Sequence, residues 1–460
     1  MLTSPSRPTP VSIPDLRAVV QGRVIEPTDA DYDAARGNFY GGFDRRPAAI
    51  VRVADADDVA RVVTFARDNS IELAVRSGGH SNAGHSTTDG GIVLDLRDLV
   101  TVEIDAAART AWAGSGLTAV DFLKATTEHG LGVGFGDTGS VGLGGITTGG
   151  GVGYLVRKHG LTIDSLLGAE IVTADGRIRV VDADHEPDLF WAIRGGGGNF
   201  GVVTRFKFRL HEIGRVYGGI LVLPASPDVI EGFIAESEAA PEELSTIANV
   251  MNCPPMPFVP EEYHGKIVIM AIVLYAGDAE AGERVLAPFR ALATPLADMV
   301  QPISYPEIYP PEDPDYRPTA VARTMFIDRV DRDTGTTILD TLSASDASLR
   351  AVQLRVLGGA MARVPAEATA FAHRSSRIMV NVAAFYEGPD DRDARQAWVE
   401  EFAAALHQGD DGAYVNFLMN EGEERVRAAY PGATWDRLAT IKHRYDPTNL
   451  FRLNQNIPPA

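Results

Sequence analysis

A chain of 460 residues holds about three domains, or two large ones. Its apolar fraction of 45% and charged fraction of 23% are ordinary globular values and exclude global disorder. The net charge of -20 argues against a nucleic-acid or anionic-membrane partner, and a single cysteine excludes an intrachain disulfide framework and a multi-cysteine zinc site.

The N-terminal text MLTSPSRPTPVSIPDL has no apolar core of a leader, and no window approaches eighteen consecutive apolar residues. The expectation is a soluble, cytoplasmic protein, and the lone Cys253 fits a reducing compartment. Glycine is the outlier of the composition, with 46 residues. Of these, 22 fall within three windows, 76–91, 130–153 and 195–201. Strand- or helix-like text bounds each window, which marks sharp bends or close approach of backbone to something else.

Taken in order, Ala48–Ala54 reads as a strand. Asp55 caps a helix that buries Val59, Val62, Val63 and Ala66, with acidic residues in its first turn. Ile71–Val75 is a second strand, RSGGHSNAGHS a glycine loop, and Gly91–Leu96 a third strand. Successive N–H groups in such a loop form an anion-binding concavity, so a phosphate-bearing ligand is expected there, with Arg76 assisting. The second window contains G-x-G-x-x-G at Gly134, Gly136 and Gly139. More glycine loop follows where a dinucleotide-binding Rossmann unit requires a helix. Asp164–Thr173 and Ile178–Val181 read as a strand pair turning at Ala174-Asp175-Gly176. A short aromatic helix enters the third window and an alternating strand leaves it. Residues 211–410 are proline-richer, alternate strand-like and amphipathic segments, and form a second domain. Thr434–Arg444 is helical, and the chain ends in an extended tail.

Four separate matches now carry a family resemblance: RSGGHS at 76–81, GSVGLGG with GGGVG at 139–153, DLFWAIRGGGGNFGVVT at 188–204, and YDPTNLFRLNQNIPP at 445–459. The chain resembles the berberine-bridge-enzyme-like FAD-linked oxidases of the vanillyl-alcohol-oxidase superfamily, especially the bacterial branch that includes hydroxy-D-nicotine oxidase. The resemblance implies an α+β chain with a PCMH-type, two-subdomain FAD-binding fold. A substrate domain built on an antiparallel sheet flanked by helices is inserted into it. The implied division is 1–210 for FAD, 211–410 for substrate, and 411–460 returning to the FAD domain.

The resemblance also assigns residues. His80 is implied to bond covalently to the flavin; a neutral imidazole nitrogen is a competent nucleophile. The dinucleotide is expected against Arg76, Ser77, Gly78, Gly79, His80, Ser81 and His85. Further contacts are expected from Asp137, Thr138, Val141, Gly142, Gly145, Thr148, Gly151, Gly153, Gly201 and Val203, with Asn454 and Asn456 in the tail. Many relatives add a cysteinyl link at the position of Thr138, so one tether rather than two is expected here. Thr147 matches a position that controls oxygen's access. Of two positions that supply acid/base groups in relatives, one falls at Phe417, where no hydroxyl exists and Tyr414 is the nearest retained one. The other falls at Asn381, which can hydrogen-bond a substrate but cannot take its proton. His80 and His85 lack a zinc spacing, and no metal is expected. Asp164 and Glu170 read as parts of solvated faces. The implied activity is hydride removal from a C–H next to an amine or hydroxyl of a small molecule, with dioxygen as acceptor. Rival readings are oxygenation, a dehydrogenase with another acceptor, and a non-catalytic flavin binder. Without a strong base an amine substrate is the more attractive, because its own lone pair can drive hydride loss.

Overall fold

Residues 10–313 and 315–460 are described by a computed structural model. Residues 1–9, where the reading of a leaderless N-terminus begins, lie outside them.

The expected first unit forms with one difference. Asp55 caps the helix Ala56–Asp68 by accepting the Asp58 N–H at 2.9 Å, and Val59, Val62, Val63 and Ala66 are fully buried beneath it. Strands Ala49–Arg52 and Leu73–Arg76, which flank this helix, do not pair with each other. Ile92–Asp95 inserts between them, parallel to both, and Arg23–Ile25 completes the sheet in antiparallel sense. The glycine loop is therefore the crossover that lets the chain return to the middle of the sheet. Asp58, expected to favour the helix N-terminus through charge alone, is buried. Its carboxylate accepts the N–H groups of Gln21 and Gly22 at 2.8 and 2.7 Å, which ties the N-terminal segment down.

A second, antiparallel sheet runs in the order Val102–Asp105, Thr110–Gly114, Val202–Arg209, Leu166–Val172 and Ile178–Asp182. The last two strands turn at Gly176, whose φ of +77° suits glycine. The first two glycine windows and the third open between these two sheets.

The inserted region is an antiparallel sheet of long strands. Val216–Pro224, Ile267–Tyr275, Leu244–Asn252, Arg350–Val356, Ile378–Phe385 and Ala320–Ile327 lie side by side, with short edge pieces at Ala297–Asp298 and Gln301–Ile303. Side chains alternate across the sheet. Val321, Val352, Leu354, Val380 and Val382 point to one face, where helices Pro227–Ala239, Ala279–Ala291, Arg332–Ala344 and Pro389–Leu406 cover them with Ile230, Phe233, Leu286, Ile338 and Phe402. The opposite face, carrying Ala322, Ala351, Gln353, Asn381 and Ala383, is turned toward the glycine loops.

The tail then returns. Helix Ala433–Tyr445 buries Lys442 completely, and its ammonium donates to Asp446 Oδ2 at 2.7 Å and to the carbonyls of Asn199 and Phe451 at 2.8 Å. Asn199 in turn accepts the Ile457 N–H at 2.9 Å. A buried charge satisfied in this way pins residues 446–457 to the third glycine window. Asp164 and Glu170, read above as solvated, are not. Asp164 makes a two-pronged ion pair with buried Arg374 at 2.8 Å, and Glu170 accepts from Thr204 at 2.8 Å and from Arg205 at 3.2 Å. No helix among the described residues is long and apolar enough to cross a membrane.

Candidate active site

The three glycine windows and the tail enclose a cleft of about 420 Å³. Most of the expected dinucleotide contacts line it: Ser77, Gly78, Gly79, His80, Ser81, His85, Asp137, Thr138, Val141, Gly142, Gly145, Thr148, Gly201, Val203 and Asn454. The main chain does most of the lining. Among the described residues, the N–H groups of Gly78, Gly79, His80, Ser81 and Asn82 donate to no protein acceptor. Such a run of free N–H groups suits an anion. A Cβ at Gly145 or Gly198 would meet no protein atom within 4 Å, so both leave room on the cleft side. Buried Asn454 Oδ1 also lacks a partner. These features fit a dinucleotide with a pyrophosphate and polar ring edges.

Four expected contacts are elsewhere. Arg76 is 1% exposed and points away, its guanidinium held by Asp95 at 2.9 Å and the Ala35 carbonyl at 2.6 Å, so it stiffens the loop base and leaves the anion to peptide dipoles. Gly151 and Gly153 are packing glycines. A Cβ on them would lie 1.9 Å from Thr162 Oγ1 and 1.3 Å from the Phe135 carbonyl oxygen. Asn456 does not line the cleft, and its Oδ1 is buried without a partner.

His80 stands at the cleft edge. Its ring stacks on Phe39 with centroids 4.1 Å apart, and its Nε2 lies 2.9 Å from Ser140 Oγ. Burial outweighs the nearby Glu312 and Asp137 carboxylates and pulls its pKa down to about 4, so the imidazole is neutral at pH 7. His85 is drawn down to about 4 by the same cause, aided by Arg45.

The other wall is the open sheet face. A second cavity of about 670 Å³ continues the cleft and shares Tyr40, Asn82, Gln353 and Asn381 with it. Its sheet side is floored by Ala320, Ala322, Ala351 and Ala383, whose small side chains leave the space open. Asn249, Gln353, Asn381 and Thr324 are register partners on four adjacent strands and form one polar row. Gln353 donates to Asn249 Oδ1 at 2.9 Å and accepts from Arg355 Nε at 2.8 Å, while Arg355 pairs with Asp137. The row is thus satisfied at one end, but Asn381 Oδ1 is buried without a partner where the two cavities meet. Tyr40 borders the same junction, and burial followed by Asp137 pushes its pKa up to about 12.

Two expected catalytic side chains are corrected. The Tyr414 hydroxyl accepts the N–H groups of Gly151 and Val152 at 2.9 and 3.3 Å and the Asn416 amide at 2.9 Å. Burial raises its pKa, and it lines neither cavity, so its hydroxyl braces the glycine turn and is turned away from the cleft. Thr147 is fully buried behind the wall; its neighbours Ile146 and Thr148 face the cleft instead. The half turn of the short helix Leu143–Thr148 decides this, and the sequence offered only the loop. Sequence reasoning missed Tyr40, Gln353 and Arg355 altogether, because they lie in the cleft through strand register and not through any local motif.

Comparison with known proteins agrees with this geometry. Residues 47–182 match the FAD binding domain model, and residues 413–458 match the model of berberine and berberine-like proteins. An (R)-6-hydroxynicotine oxidase of Paenarthrobacter nicotinovorans is 33% identical, over 96% of this chain and 97% of its own. An FAD-linked oxidoreductase of Dictyostelium discoideum is 32% identical over 90% of this chain and 89% of its own. The crystal structure of 6-hydroxy-D-nicotine oxidase from Arthrobacter nicotinovorans superposes with a TM-score of 0.86 at 30% identity, covering 96% and 98% of the two chains. The fold is therefore the PCMH-type FAD-binding fold of α+β class, and the chain belongs to the berberine-bridge-enzyme-like family of FAD-dependent oxidases.

Proposed function

We propose that this protein oxidises a small amine by removing a hydride from the carbon next to nitrogen, with dioxygen as the final acceptor and hydrogen peroxide as product. Residues 1–210 and 411–460 would hold FAD, and 211–410 would hold the substrate. When bound, FAD supplies the ring that accepts the hydride and returns its electrons to dioxygen. The free N–H groups of Gly78–Asn82 would take the pyrophosphate, and Gly145, Val203 and Asn454 would line the rest of the dinucleotide. His80, neutral and clamped by Phe39, would form one covalent tether. Thr138 has no thiol, and Cys253 is buried in the inserted sheet region, which supports a single link.

The observation that carries the amine reading is the polar row Asn249–Gln353–Asn381–Thr324. It holds amides and a hydroxyl but no carboxylate or imidazole. Tyr40, with its pKa pushed up, is a poor base at neutral pH. Asp137 is engaged by Arg355. A neutral amine needs no base, since its lone pair drives the hydride out. An alcohol must lose its O–H proton to something, and the row offers no group to take it; the carboxylate of Glu387 lines the adjoining cavity outside the row. The unpartnered Asn381 amide would orient the substrate. The relative named as a 6-hydroxynicotine oxidase supports a small-molecule substrate.

An anaerobic panel of amines and alcohols, read by bleaching of the flavin absorbance, tests this reading. Amines should bleach the protein, with a rate that rises as pH passes the substrate's own ammonium pKa. Faster bleaching by alcohols across the panel would overturn the amine assignment, and no bleaching by any member would favour an inert flavin binder. Acid precipitation tests the tether: the yellow colour should remain in the pellet.

A further inference from the structure

Two residues beside His80 have no role so far. Ser140 Oγ lies 2.9 Å from His80 Nε2, and the same hydroxyl donates to Glu312 Oε2. Glu312 also accepts the Ser140 backbone N–H at 3.1 Å through Oε1, so its carboxylate grips Ser140 twice. A carboxylate only accepts hydrogen bonds, and a serine hydroxyl has one proton to give. That proton goes to Glu312, which leaves Ser140 Oγ as the acceptor of the His80 Nε2–H. The chain of contacts therefore selects one tautomer, with the proton on Nε2 and a lone pair on Nδ1. The hydrogen bonds of the ring are all to Ser140, its hydroxyl and its backbone, and the Phe39 stack fixes the plane of the ring.

Glu312 is brought there from a distance. It belongs to the inserted region, on a segment that leaves the sheet after Ile303 and is buried at Tyr305 and Tyr309 against the FAD half. Tyr309 donates to the Gly136 carbonyl at 3.1 Å, three residues before Glu312, and so sets the height of the carboxylate over the second glycine loop. Glu312 itself is exposed, with an open route for a proton to solvent.

We infer that Ser140 and Glu312 are positioning residues for flavin attachment: they present Nδ1 of His80 as the nucleophile and carry away the proton that Nε2 must lose. The inference rests on the covalent reading of His80. In the step, Nδ1 forms a bond to the flavin 8α carbon and a C–H bond of that methyl group breaks. Alkylation makes the imidazole cationic, and the Nε2 proton passes through Ser140 to Glu312. Overall the methyl group loses one proton and the imidazole loses its Nε2 proton, and the electron pair of the broken C–H bond, left on the flavin ring, passes to dioxygen: two protons and two electrons reduce one dioxygen to one hydrogen peroxide. Docking of the inserted region on the FAD half thereby becomes a condition for rapid tethering.

The test uses the full-length protein and four variants, Glu312→Gln, Glu312→Asp, Ser140→Ala and Ser140→Thr. Each is saturated with FAD in air, and the tethered fraction is followed over time by acid precipitation and by the intact mass of the pellet. Glu312→Gln and Ser140→Ala should take up FAD and melt like the parent but tether it at least about tenfold more slowly. Glu312→Asp and Ser140→Thr, which keep the carboxylate and the hydroxyl, should recover much of the rate. Tethering of Glu312→Gln and Ser140→Ala at the parent rate would overturn the inference while leaving the His80 link intact. A parent protein that releases all its flavin into acid would instead overturn the covalent reading, and the inference with it.

Discussion

The glycine-loop wall of the cleft is mostly main chain, whereas the wall across from it is side chain on a rigid sheet. On the first, residues 77–82, 136–148 and 197–203 offer peptide N–H groups and glycine surfaces. On the second, the sheet contributes alternate residues of neighbouring strands, with alanines making the space and amides making the polarity. A backbone wall recognises a group common to many proteins, because peptide dipoles do not vary with sequence. A side-chain wall can change its ligand by one substitution without disturbing the fold. The contrast explains how an acidic chain of net charge -20 can hold a dianionic group: the anion meets oriented dipoles instead of a basic field.

The contrast can be broken most severely at Gly153. A Cβ there would sit 1.3 Å from the Phe135 carbonyl oxygen, and backbone on both sides prevents relief. Gly153→Ala should cost more than about 4 kcal/mol and yield little soluble protein. Gly145→Ala is its counterpart, with no protein atom near the new methyl group. It should melt within a degree or two of the parent yet load FAD more slowly, as read by the acid-stable flavin formed after timed incubation; unchanged loading would show that the cleft side of Gly145 is not a ligand surface. Next in size is Arg355→Met, which strands the Asp137 carboxylate and removes a donor from Gln353. A loss of about 3 kcal/mol in denaturant unfolding is expected, together with weaker substrate binding.

Acid should act on the backbone wall before the sheet wall. The folded-state pKa values of His80 and His85 are lowered to about 4 from 6.5. Between those values the unfolded chain binds more protons than the folded one, so stability is full above pH 6.5 and falls as pH drops through this window. In the flavin-free protein each imidazole contributes up to about 3 kcal/mol, and a melting temperature that stays flat from pH 7 to 4.5 would contradict it. Tyr414→Phe should be milder: the N–H groups of Gly151 and Val152 lose their acceptor, at about 1–2 kcal/mol. The rate of flavin reduction by substrate should not change; a large fall would return Tyr414 to the reaction.

Much of the FAD side was legible before any coordinates. The Asp55 cap, the strand pair turning at Gly176 and the clustering of glycine are local features, and local features are coded by adjacent residues. The same locality explains the errors. Arg76 ends a strand and precedes the glycine loop, but Asp95, nineteen residues on, captures its guanidinium. Tyr414 and Thr147 occupy the expected stretches of chain, yet a hydroxyl is assigned by where it points, and the short helix and the glycine turn point these two away from the cleft.

By itself, then, the sequence determined that glycine gathers in three loops suited to a phosphate-bearing ligand, that His80 stands among them, and that Asn381 and Phe417 occupy the positions where the resemblance implies acid/base groups. Only the tertiary structure decided what faces that histidine and that asparagine. Strand register joins Asn249, Gln353, Asn381 and Thr324 across 132 positions of sequence, and an excursion of the inserted region carries Glu312 to Ser140, 172 residues away. Such pairings depend on the packing of whole layers against one another, which no local window of residues encodes.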